Sequence, residues 1–154
     1  MIRNEKEYQE AIRRIQEDQR VIEQQRRELG KEKLTPEGIE RAMAPILSFH
    51  QRLVEEVEWY ENVKRQNFES ISSLNQIGRL LIALRIAGGL SQKDLADCLD
   101  VSEAQISRDE RNEYHGISIE RAIKILSIFG VRVKTKISVD APLTRERVLA
   151  AASH

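Results

Sequence analysis

Residues Leu90–Glu110 read "LSQKDLADCLDVSEAQISRDE", and the break in the middle of this stretch decides the fold. Ser91 has the short side-chain oxygen of a helix cap, and Asp94, three residues on, places a negative charge in the first turn. Leu95 and Leu99, four apart, give an inward face, and Ala96 is small enough for a second helix to cross closely. Asp100 stands where the chain must turn. The left-handed backbone of such a turn suits glycine best, and Asp tolerates it. Val101 plugs the turn, and Ser102 caps a new helix whose Ile106 points inward. Glu103, Ala104, Gln105, Ser107 and Arg108 are left on its outer side. The pattern predicts two short helices at a steep angle, the second presented to solvent.

The flanks continue this texture. "SSLNQIGRLLIALRIAGG" (72–89) reads as one helix ended by Gly88–Gly89, with Ile77, Leu80, Leu81 and Leu84 on its apolar side. Residues 118–129 form another, capped by Ser118 and closed by Gly130. "VRVKTKIS" (131–138) then alternates, with Val131, Val133, Thr135 and Ile137 on one face and Arg132, Lys134 and Lys136 on the other. That predicts a short C-terminal strand, paired most cheaply with its copy in a second subunit. The tail 141–154 adds at most a short helix from Thr144.

On "LRIAGGLSQKDLA" (84–96), "VSEAQISRDE" (101–110) and "ILSIFGV" (125–131), residues 74–137 resemble the Xre/Cro-like, lambda-repressor-like helix-turn-helix domain of bacterial and phage regulators. The resemblance implies that Ser91 and Gln92 open the helix lying across the phosphates. It also implies that Ser102–Arg108 open the recognition helix, and that Arg85 and Glu110 form an internal salt bridge between the first and third helices. Asp109 departs from the pattern, standing where a larger or apolar residue is usual. Helical extensions beside such a domain occur in antitoxin-like regulators, so the resemblance also points to an autoregulated operon or a cognate toxin.

The side chains of the expected recognition helix suit that role. The planar fork of Arg108 matches guanine O6 and N7, Gln105 matches adenine N6 and N7, and Glu103 accepts from cytosine N4. Ala104 can meet a thymine methyl. Ser91, Gln92, Lys93 and Arg111 are placed to hold the backbone, which sets register and not sequence; Ser102 and Ser107 complete the expected DNA-binding set. The plainer alternatives are an ordinary solvated Arg108 and an ordinary first-turn acid at Glu103.

The first half, residues 1–69, reads differently. Asn4 can cap a helix with Glu7 reaching back. Tyr8, Ile15, Ile22 and Leu29 recur every seven residues, widened by Ala11 and Ile12, while Asp18 and Gln25 break the second row. "GKEKLTPEG" (30–38) is a turn with Thr35 as cap and Pro36 at the first helical position. A second helix to about Asn67 carries Ile39, Met43, Ile46, His50, Leu53, Val57 and Tyr60 in one row, and Pro45 should kink it or mark its true start. The expectation is an antiparallel helical hairpin or coiled coil serving dimerisation or partner binding, with Leu53, Val57 and Trp59 left available. The helix-turn-helix domain is expected over 70–140, with a core of its own.

Composition sets the outer bounds. The chain has 154 residues with 25 basic and 25 acidic side chains, so no global positive field announces nucleic acid. The split is nearly even: 13 basic against 15 acidic over 1–69, and 12 against 10 over 70–154. A protein-interaction adaptor that does not bind DNA is therefore the second reading. One cysteine, Cys98, excludes an intrachain disulfide and a cysteine-based zinc site, and is expected to be a small buried residue. His50 and His115 are expected in structural roles, and the carboxylates of "EEVEWYE" (55–61) as a solvated face. No nucleophile–base pair, phosphate loop or metal-ligand spacing is present, so no enzyme, metal or cofactor is expected. No apolar run approaches a membrane span. The expectation is a mainly all-α cytoplasmic DNA-binding transcription regulator of the Xre kind: a homodimeric repressor on double-stranded DNA with a palindromic operator, with a toxin as a candidate partner.

Overall fold

The computed structural model describes residues 1–32, 34–68, 71, 73–134 and 144–152, without the side chains of 148 and 149. Among these are seven α-helices: α1 (Glu5–Leu29), α2 (Pro36–Lys64), α3 (Ile77–Ala87), α4 (Gln92–Leu99), α5 (Glu103–Arg111), α6 (Ile119–Ile128) and α7 (Arg145–Ala151). A single 3-10 turn, Leu74–Gln76, precedes α3. No strand occurs among the described residues.

The helices begin where short polar side chains can take up the free amides of a first turn. Asn4, Thr35, Ser91, Ser102 and Ser118 each accept from an amide three residues on. At the first helix the reach-back lands one residue earlier than expected: the Arg3 amide, not that of Asn4, donates to Glu7 at 2.9 Å. α2 runs unbroken through Pro45, so the proline is neither its start nor its end. Packing along the hairpin outweighs the lost backbone bond. α1 and α2 lie against each other, with Tyr8 and Tyr60 stacked at 5.1 Å between centroids.

α3 explains how the two halves fit. The apolar row expected on one side is buried at Leu81 and Leu84, but Ile82, Ala83, Arg85 and Ile86 are buried too. A helix covered all round needs packing on two sides. α4–α6 cover one side; Ile2, Val57, Tyr60 and Val63 of the N-terminal half join the same core from the other. The hairpin and the C-terminal helices share one core. Val57 is therefore covered, and Trp59 lies under Arg79, with 5.0 Å from guanidinium carbon to ring centroid. The exposed large apolar side chains of the hairpin are instead Phe49, Val21 and, in its turn, Leu34, at 69%, 45% and 43% exposed.

The C-terminal strand is a correction. Residues 131–134 join no ladder, and Val133 is exposed; Thr135–Asp140 lie outside the described residues. The local reason is the end of α6. Gly130 is left-handed (φ 63°), and the Val131 amide donates back to the Leu126 carbonyl at 3.0 Å. Val131 thus belongs to the closing motif of a helix, and its apolar side chain packs on the core as that motif favours. Among the described residues no strand lies beside 132–134 for their alternation to pair with.

Candidate nucleic-acid interface

α4 and α5 are joined by the turn that the sequence calls for. Asp100 is left-handed (φ 56°), and the Val101 amide donates to the Ala96 carbonyl at 3.0 Å. Val101 is half-buried against the core, Ser102 restarts the helix, and Ile106 is fully buried. That leaves Ser102, Glu103, Ala104, Arg108 and Arg111 exposed, with Gln105 and Ser107 half-exposed. Lys93, Arg108 and Arg111 form no ion pair with any described residue, so three cations stand free on this face.

Of the six acids of the same stretch, Asp94, Asp109 and Glu110 are held by partners in the protein, while Asp97, Asp100 and Glu103 are exposed. Asp94 closes a capping box, accepting from the Ser91 amide at 2.8 Å and its hydroxyl at 2.6 Å. The hydroxyl and the amide hold the Asp94 carboxyl below the usual range. Asp109 meets Arg121 at 2.5 Å and ties α5 to α6. The departure from the family pattern at this position is thus an ion pair across two helices. Glu110 is buried against Arg85 (Nε–Oε1 2.5 Å, Nη2–Oε2 2.7 Å), joining α3 to α5 as the resemblance implies.

Around that pair lies a network no local pattern announces. Arg85 also donates to the Leu90 carbonyl at 2.8 Å and, from across the chain, to the Arg3 carbonyl at 2.9 Å. Gln92 donates to Glu110 at 2.7 Å and is half-buried. One hydrogen of its amide is thus committed inward, leaving the second hydrogen and the oxygen for a backbone contact. The N-terminal segment is held in place by the terminal ammonium on Glu56 at 3.0 Å and by buried Ile2.

The loop after α5 is unusual in its backbone. Glu113, Tyr114 and Gly116 all have positive φ (48°, 53° and 76°), and the first two are not glycine. Such strain persists only where surroundings hold it. Here Tyr114 is buried with its hydroxyl unpaired among the described residues, and Gly78 of α3 lies so close that a Cβ there would sit 1.8 Å from the Glu113 carbonyl oxygen. Burial, then the charges of Glu110 and Asp109, push the Tyr114 phenol well up. His115 is exposed, with Nδ1 2.6 Å from the Asn112 carbonyl, a turn contact. His50 is half-buried on α2.

Cys98 corrects another expectation: it is exposed. The inner face of α4 is taken by Leu95, Ala96 and Leu99, and position 98 rotates off that face. No helix of the described residues is long and apolar enough to cross a membrane.

The family model for helix-turn-helix domains matches residues 81–135, rather more than a third of the chain. No curated protein and no solved structure matched the chain.

Proposed function

We infer, from the premise that residues 81–135 are a helix-turn-helix domain of the Xre/lambda-repressor-like kind, that this protein is a sequence-specific DNA-binding transcription regulator. The carrying observation is α5. It is capped by Ser102, anchored by Ile106 and Glu110, and exposes Arg108 and Arg111 free of carboxylates among the described residues. Arg108 and Gln105 read base edges; Lys93, Arg111 and the capped start of α4 hold phosphates. The role is binding and not catalysis, in the cytoplasm. A gel shift of the protein on the DNA upstream of its own gene, at several salt concentrations, tests this; sequence-independent or absent binding rejects it.

The dimer belongs to the same reading. The apolar rows of the hairpin are covered at least in part within the chain, but Phe49 and Val21 stand exposed beside them. A second copy is the occupant that also doubles the recognition helix, with half-sites about 34 Å apart on a near-palindromic operator. Repression of its own operon, and antitoxin duty with a toxin seated on the hairpin, are the regulatory forms the architecture suits. An adaptor that leaves DNA alone is favoured only by the balanced charge. Against that alternative, Arg108 and Arg111 stand on the outer side of α5 with no ion pair to any described residue.

A further inference from the structure

A cavity of about 320 Å³ opens between the C-terminal end of α2 and the start of α3, against Trp59, Asn62, Phe68, Arg79, Leu80 and Ala83. Its volume falls at the lower end of small-molecule sites, about 300–1,000 Å³. Its walls are mixed and come from two parts of the fold: Trp59, Phe68, Leu80 and Ala83 give an apolar side, and Asn62, Asn67, Gln76 and Arg79 a polar one. Arg79 is the one charged residue among the described residues of the lining. Its guanidinium rests on the Trp59 ring and forms no ion pair with any described residue. The side-chain amide of Asn62 likewise bonds no described residue.

We propose that this cavity is a binding site for a small aryl carboxylate, wedged between the hairpin and the first helix of the DNA-binding domain. The aryl group packs against Phe68, Leu80 and Ala83, beside the Trp59 edge. The carboxylate takes the planar fork of Arg79, whose two parallel N–H donors match it. Asn62 supplies a further donor. A single cation suits a monoanion better than a phosphate dianion. Stacking on Trp59 holds the guanidinium in place before the ligand arrives, which lowers the ordering cost of binding. The occupant touches α2 and α3 together, so it bears on how the hairpin is seated on the DNA-reading helices.

The site carries its own reporter, since Trp59 is the only tryptophan in the chain. Full-length protein without DNA is titrated with 4-phenylbutyrate, and separately with the neutral 4-phenylbutyramide, following tryptophan emission and heat by calorimetry. The acid should bind saturably and at least about tenfold more tightly than the amide, the worth of one charge-assisted pair. Arg79→Gln, on an exposed position, should lose that preference, and Arg79→Lys should keep part of it. The proposal is overturned if the acid gives neither saturable emission nor heat, if acid and amide bind alike, or if Arg79→Gln binds the acid as wild type does. Measuring binding without DNA keeps this outcome separate from any failure of operator binding.

Discussion

Glu110→Ala removes the acid at the centre of the network that joins three parts of the chain. The substitution deletes two bonds to Arg85 (2.5 and 2.7 Å) and the one from Gln92 (2.7 Å). Arg85, 2% exposed, keeps the Leu90 and Arg3 carbonyls but loses its only counter-charge among the described residues. Removing one partner of a buried pair costs about 3–5 kcal/mol, mostly as the penalty of the charge left behind. Against a total stability of roughly 5–15 kcal/mol this is a large share. With a urea slope of about 2 kcal/mol per M, the midpoint should fall by about 2 M. The assay is urea unfolding followed by helix circular dichroism. Arg85→Met with Glu110→Leu should cost far less than the two single changes added, because the stranded charge is gone. A Glu110→Ala midpoint close to wild type, or strict additivity in the double variant, would refute the reasoning.

Three further outcomes follow from the geometry. Gly78→Ala should destabilise by at least about 1–3 kcal/mol, the usual cost of overpacking, because the new methyl meets the Glu113 carbonyl and the strained loop has little room to yield; an unchanged thermal midpoint would mean that the loop moves freely. Asp100→Gly should hold or raise stability slightly, while Asp100→Val should lower it, since φ is 56° there; equal midpoints for the two would count against the left-handed turn. All three phenols are pushed up: Tyr8 mainly by its bond to Glu61, Tyr60 by burial and then Glu5 to about 12, and Tyr114 mainly by burial. Their folded pKa values exceed the unfolded ones, so the stability they contribute is whole below about pH 10 and is lost as pH rises beyond it. Phenolate absorbance should therefore rise above pH 10 together with loss of helix, and a native titration centred near 10 would contradict this.

The short-range chemistry was legible in the sequence. Caps at Asn4, Thr35, Ser91, Ser102 and Ser118, the turn at Asp100 and the burial of Ile106 all depend on neighbours within a few residues. The Arg85–Glu110 pair came from the resemblance. Contacts between distant segments left little trace. Nothing near Arg3 marks its carbonyl as a partner for Arg85, eighty-two residues away, and nothing near Asp109 names Arg121. The sequence does carry one such signal, in "LLIALRIA" (80–87): apolar residues all round a helix mean cover on both sides, which is where the hairpin docks. Cys98 shows the opposite error. Residue type favoured burial, but its position on α4 faces solvent. The alternation after Gly130 misled because Val131 serves the helix end.

The most direct test of the account is a footprint of the full-length protein on the DNA upstream of its own gene, with wild type and Arg108→Ala compared at matched salt. The account predicts a protected, near-palindromic site for wild type. For Arg108→Ala it predicts binding weakened by roughly 1–3 kcal/mol, with preference relaxed at one base position in each half-site. No protected site for wild type, or the same affinity and base preference in the variant, would contradict the reading of α5 as the helix that reads DNA.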